Sequence, residues 1–85
     1  MENFDHTMQF SREKDQYKTP KDIIMAVYDA MKEKGYDPVN QFVGYITSGD
    51  PTYITSHKNA RALMRRLDRD MLLEELVGFY FENKT

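Results

Sequence analysis

The chain is short and free of cysteine, and these two facts limit what it can be. Its 85 residues make one small domain, close to the lower size limit for a self-sufficient hydrophobic core. A hydrophobic content of 40%, 31% charged residues and a net charge of −2 are typical of a globular chain and not of a polycation. Without cysteine, disulfides and thiolate metal sites are excluded. There is no pattern of a secretory signal and no apolar run near the roughly 20 residues that span a bilayer, so we expect a cytoplasmic protein without membrane insertion.

The first eighteen residues predict an N-terminal tail. This stretch is polar, with scattered apolar side chains, and Met8 and Phe10 alternate with polar residues as in a short strand. A lone strand without a pairing partner is marginally stable. We therefore expect residues 1–18 to form a short mobile tail and residues 19–85 to form a helical domain.

Capping residues and apolar spacing predict a first helix. Thr19 can cap it, Pro20 suits the first helical position, and Asp22 suits the positive end of the helix dipole. Gly35 is expected to end it, because glycine adopts the left-handed conformation without steric cost. Its apolar residues recur at helical spacing over an arc of about 160°. They are Ile23, Ile24, Val27, Tyr28, Ala30 and Met31.

The same stop and start signals predict a second helix over residues 37–48. Asp37 can cap it and Pro38 suits its first turn. Its apolar stripe is Val39, Phe42, Val43 and Ile46. Gly44 interrupts the stripe at a cost of roughly 1 kcal/mol relative to alanine, and the close approach of another helix is one reason for such a glycine. Asp50-Pro51 then predicts a turn, or a single helical turn, up to Tyr53.

A third helix is predicted after Thr55 or Ser56, either of which can cap it. Its apolar stripe is Ala60, Leu63, Met64 and Leu67. The opposite face is basic, and its four cations fall within about 80° of one another on a helical wheel. They are Lys58, Arg61, Arg65 and Arg69.

A fourth helix is expected from Asp68, as its cap, to about Phe81. Its apolar residues spread over roughly 200° of the wheel, which is more than one small neighbour can cover. Because a symmetric pair is the simplest closed assembly, we predict a homodimer. The sequence thus predicts an all-α fold: a compact bundle of four helices, or three plus a broken long helix, behind a short N-terminal tail.

The polar residues predict no catalytic centre, cofactor or metal site. His6 and His57 are far apart, and neither has a second ligand at helical spacing. Ser48 and His57 could be imagined as nucleophile and base, but nothing resembles a nucleophile elbow. SGDP lacks the spacing and the lysine of a phosphate-binding loop.

The basic face has two interpretations. It is either a solvated surface with local ion pairs, such as Arg66 with Asp70, or an anion-binding surface. An anion-binding surface would meet an acidic partner, a phosphorylated residue or DNA, the last through a helix-turn-helix arrangement. The acidic net charge and the lack of the Asn and Gln partners that often recognise bases argue against DNA binding. A salt-dependent DNA titration separates these alternatives.

Three segments of the sequence carry a family resemblance. They are FDHTMQF (residues 4–10), VYDAMKEKGYDPVNQFVGYITSGDPTYI (27–54) and NARALMRRLDRDMLLEELVGFYF (59–81). Together they resemble the IreB-type (YrzL-like) family of small bacterial regulatory phosphoproteins. The resemblance implies a non-catalytic cytoplasmic regulator that a membrane-anchored Ser/Thr kinase phosphorylates, with a link to cell-envelope stress and intrinsic resistance to cell-wall antibiotics. The downstream target is not implied.

The resemblance also implies a phosphorylation site. FDHTMQF matches the N-terminal segment that is phosphorylated in the family, and Thr7 matches its threonine. A more N-terminal threonine found in some members has no counterpart, since position 4 is Phe4. The phosphate would act by charge, either docking the tail on the basic residues or repelling an acidic surface.

Overall fold

The computed structural model describes residues 17–83, which form α-helices and 3₁₀ turns without any strand. The helices are α1 (Pro20–Glu33), α2 (Pro38–Ser48), α3 (Ala60–Met64) and α4 (Arg69–Glu82). Two 3₁₀ turns, Pro51–Tyr53 and His57–Asn59, connect α2 to α3. The predicted all-α fold with four helices is confirmed. Except for its last two residues, the predicted tail lies outside the described residues, and Thr7 lies there with it.

The boundaries of α1 follow from the capping chemistry that predicted them. Thr19 Oγ1 accepts a hydrogen bond from the Asp22 amide (3.1 Å), and the Asp22 carboxylate accepts one from the Thr19 amide (3.2 Å). At the other end Gly35 is left-handed, with φ +83°, and the Tyr36 amide donates back to the Met31 carbonyl (2.9 Å). This is the Schellman arrangement, and it satisfies carbonyls that the end of the helix would leave free.

The second helix is held in the same way. The Asp37 carboxylate accepts from the amides of Val39 (3.0 Å) and Asn40 (3.4 Å), and Gly49 ends the helix with φ +75°. Asp50 repeats this role, because its carboxylate accepts from the Thr52 amide (3.0 Å) and opens the first 3₁₀ turn. Both predicted Asp-Pro starts are therefore confirmed.

The glycine inside α2 faces an aromatic ring and not another helix. A Cβ on Gly44 would lie 2.8 Å from Tyr53 Cζ and would overlap other atoms of that ring. The Gln41 side-chain amide donates to the Tyr53 carbonyl (2.9 Å), which fixes the 3₁₀ turn against α2. The missing side chain is thus what lets the turn pack onto the helix.

The predicted start of the third helix is wrong. Ser56 makes no side-chain cap, and Thr55 Oγ1 accepts from the His57 amide (3.2 Å) within a turn. Lys58 and Asn59 both have positive φ, +52° and +62°, which a helix does not accommodate. As a result α3 is only five residues long and begins at Ala60.

The core lies mainly between α1, α3 and α4, includes the segment after the first 3₁₀ turn, and receives Phe42 and Tyr45 from α2. Its fully buried large side chains come from α1, α3, α4 and that segment: Val27, Met31, Ile54, Met64 and Leu72. In α4 only Leu72 is buried, and Leu76 packs partly against the core. Asp68 occupies the N-cap position of α4, but its side chain makes no capping bond, so that predicted cap is wrong.

Candidate functional site

The four basic residues predicted to share one helical face lie on different elements. Lys58 is in the second 3₁₀ turn, Arg61 is in α3, Arg65 follows α3, and Arg69 opens α4. The helical-wheel argument is therefore wrong, because the chain changes direction at both ends of α3. Their role in binding a partner or a phosphate stays a prediction.

Arg61 is bound to the protein's own backbone. Its Nε donates to the carbonyls of Ile54 (2.9 Å) and Pro51 (3.2 Å), and the side chain is partly buried. Arg69 is engaged similarly, because its guanidinium donates to the Ile46 carbonyl at the end of α2 (2.8 Å). Arg61 thus holds the segment between α2 and α3, and Arg69 ties the start of α4 to the end of α2, which leaves both arginines fewer donors for an external anion.

Lys58 and His57 converge on one carboxylate at the end of α1. Lys58 Nζ lies 3.2 Å from the Glu33 carboxylate, and His57 Nε2 lies 2.9 Å from Glu33 Oε1. The hydrogen bonds from His57 and Lys58 lower the pKa of Glu33. An anion that binds Lys58 would have to compete with Glu33.

Arg65 is the most available of the four cations. Its side chain is exposed and makes no hydrogen bond or ion pair to any residue between 17 and 83. Its neighbour Arg66 donates to the Tyr17 carbonyl (2.8 Å) and forms no ion pair with Asp70, so the predicted local pair is absent. The DNA-binding alternative requires a basic recognition helix. The five-residue α3 does not provide one, because it holds only Arg61 of the four basic residues.

A prominent surface feature of the described chain is an apolar groove, which we define as the cleft between α1, α2 and α4. Its volume is about 560 Å³. Its lining is mostly apolar and includes Ile24, Met25, Val39, Val43, Leu76 and Phe79. Lys21 and Glu75 are the charged residues along it.

The walls of the groove include side chains that the sequence pattern assigned to the core. Val39 and Val43 are 68% and 53% exposed, whereas Phe42 and Tyr45 are the residues of α2 that turn inward. The sequence signal was present, since Val39 and Val43 are one turn apart. The sequence could not show, however, that Val39 and Val43 face a cleft and not a neighbouring helix.

A second apolar surface lies on the other side of α4, and we call it the outer α4 face. Leu73 and Val77 line a shallow depression there, separate from the groove that Leu76 and Phe79 enter. Tyr80 is one turn from Leu76 and Val77 and is 70% exposed. The predicted wide apolar arc of the fourth helix is therefore solvent-exposed on the single chain.

Neither a metal cluster nor a membrane span is found in the part of the chain that the structure describes. No three His, Asp or Glu side chains within residues 17–83 are grouped so that they could hold a metal ion. No helix in that range has the length and apolar character to cross a membrane.

Residues 17–83 thus form a small all-α domain with two exposed apolar surfaces, the groove and the outer α4 face, and with basic residues that lie on different elements. A family model described as IreB regulatory phosphoprotein matches residues 5–82. A UPF0297 protein from Ruminiclostridium cellulolyticum is 57% identical over 77 residues, which cover 91% of this chain and 88% of that protein. The chain therefore belongs to the IreB regulatory phosphoprotein family, which confirms the resemblance seen in its sequence.

Proposed function

We propose that this chain is a non-catalytic cytoplasmic regulator, switched when a membrane-anchored Ser/Thr kinase phosphorylates Thr7. In this proposal it acts in the response to cell-envelope stress and in resistance to cell-wall antibiotics. The observation that carries the proposal is the family match, which begins at residue 5 and so includes Thr7 and all of FDHTMQF except Phe4.

The structure adds an argument by comparison with the other threonines. Each threonine between residues 17 and 83 is hydrogen-bonded in a cap, helix or turn. These are Thr19, Thr47, Thr52 and Thr55. A kinase would have to break local structure to reach any of them. A phosphate on Thr7 adds a charge of about −1.5 to −2 without disturbing a described cap or core residue.

A homodimer is the second part of the proposal, and the outer α4 face supports it. Leu73 and Val77 are each about half exposed, and Tyr80 is more so. Contiguous exposed apolar surface of this kind marks interaction sites. A symmetric pair would cover the same patch on both copies.

Two experiments test these statements separately. After treatment with a Ser/Thr kinase from the same organism, mass spectrometry should find the phosphate on Thr7, and Thr7→Ala should abolish it while Thr85→Ala does not. Phosphate on another threonine with Thr7 unmodified would contradict the site. Sedimentation equilibrium should show a dimer that Val77→Lys dissociates and that Val39→Lys, in the groove, leaves intact. A wild-type mass of one chain at all concentrations would contradict the dimer.

A further inference from the structure

We infer that residues 4–10 of this chain, FDHTMQF, bind in its own apolar groove between α1, α2 and α4. The inference does not depend on phosphorylation. It identifies the occupant of a surface that neither the family match nor the proposed switch assigns.

The groove has the character of a binding site. Its volume of about 560 Å³ falls in the range of roughly 300–1,000 Å³ that is usual for sites that bury a small ligand. Val39 and Val43 stand more than half exposed on one wall, and Phe79 is 56% exposed on another. An apolar occupant would remove this surface from water, which is the main favourable term in association.

The occupant must then be apolar, and the segment supplies the matching pattern. In an extended segment, side chains alternate between two faces. An extended FDHTMQF segment would place Phe4, Met8 and Phe10 on one face and Thr7 on the other. Bound in this way, the segment places its large apolar side chains in the groove and keeps Thr7 toward solvent.

The position of the groove favours the chain's own segment over a second copy. The described chain begins at Tyr17, whose carbonyl accepts a hydrogen bond from Arg66 (2.8 Å), and Lys21 at the groove edge is only four residues further on. Tyr17 lies seven positions after Phe10, and an extended chain of seven steps reaches up to about 25 Å. The groove wall from Lys21 to Tyr28 is only about 10 Å long, from the rise of an α-helix.

Tethering gives this segment a large advantage. A short flexible connection holds a ligand at an effective concentration on the order of millimolar. A second copy, or another protein, at micromolar concentration must displace it.

Paramagnetic relaxation tests the inference on the full chain. Because the chain has no cysteine, Gln9→Cys offers a unique site for a nitroxide label. We expect the methyl signals of Val39 and Val43 to broaden strongly, while those of Leu73 and Val77 on the outer α4 face stay sharp. Equal broadening of both pairs, or broadening of neither, would overturn the inference.

Two sets of controls test whether binding of residues 4–10 in the groove causes the broadening. Phe10→Ser should remove the broadening and Thr7→Ala should keep it, because Thr7 lies on the other face of the segment. Val43→Lys should remove the broadening at Val39, and Val77→Lys, at a valine of similar exposure, should keep it; far-UV circular dichroism checks that both variants are folded. The nitroxide-bearing chain is also mixed with an isotope-labelled chain without cysteine. Broadening at Val39 in that mixture would assign the groove to the segment of a second copy and refute binding within one chain.

Discussion

Replacing Gly44 with alanine tests whether the Tyr53 ring is what requires a glycine inside α2. Alanine is favoured over glycine in a helix interior by about 0.8–1 kcal/mol. A Cβ at this position, however, would overlap the ring of Tyr53. Forcing extra volume into a packed contact costs typically about 1–3 kcal/mol. We therefore expect Gly44→Ala to be destabilising by about 0–2 kcal/mol in net terms, from the difference of these two effects.

Gly78 in α4 provides the matched control. A Cβ there would meet no atom within 4 Å, so Gly78→Ala should gain the full helix preference of about 1 kcal/mol. Because the helix preference is common to both variants, the difference between them isolates the contact with Tyr53. That difference should be about 1–3 kcal/mol, and each kcal/mol should move the melting temperature of a domain of this size by about 4–8 °C.

Thermal and urea unfolding, followed by far-UV circular dichroism at one protein concentration, measure these differences. The decisive comparison uses a Tyr53→Ala background, which removes the ring but keeps the carbonyl that accepts from Gln41. There Gly44→Ala should become stabilising by about 1 kcal/mol. If it destabilises equally in both backgrounds, the ring is not the cause. If Gly44→Ala and Gly78→Ala stabilise equally in the wild-type chain, the contact does not exist.

Three further predictions follow from the hydrogen bonds. Asp37→Ala should lower the free energy of unfolding by about 0.5–2 kcal/mol, whereas Asp68→Ala, whose side chain makes no cap, should change it little in the same urea titration. Arg61→Gln should cost about 1.5–3 kcal/mol and Arg65→Gln less than about 0.5 kcal/mol, because Arg61 alone of this pair holds two carbonyls. The folded state lowers the pKa of Glu33 below its ordinary value of 4.5. The ionised Glu33 carboxylate therefore stabilises the folded state above that pH, and this stabilisation is lost as the pH falls through the lowered pKa. Glu33→Gln should therefore lose less stability than wild type between neutral and acidic pH, and identical pH profiles would contradict that role.

The helices that were predictable are those whose ends are set by local chemistry. Thr19 and Asp22 cap each other within one turn, and Gly49 ends α2 through its left-handed backbone and its hydrogen bond to the Tyr45 carbonyl. The start of α3 was not predictable in this way. Asparagine adopts the left-handed backbone more readily than most residues, but nothing in the sequence indicates it at Lys58, which pairs with Glu33, 25 residues earlier in the chain.

The two apolar surfaces also differ in how far the sequence alone could predict them. The width of the apolar arc on the fourth helix was visible in the sequence, because it depends on spacing within one element. The groove was not visible, because it exists only where three helices meet. Val39 has the spacing of a core residue and becomes a groove wall because no neighbouring helix covers that part of α2.

The single buried residue of α4 also has a consequence for the order in which the molecule opens. Leu72 lies near the start of a 14-residue helix, and beyond Leu76 the helix has no buried side chain. Segments with few buried contacts open at a lower free energy than the core that carries them. The amide protons of the last two turns should therefore exchange with solvent well before those of α1, as a separate unit that frays from the C-terminal end. A partner that covers the outer α4 face would slow this exchange, so that amide protection in these turns becomes a direct gauge of assembly.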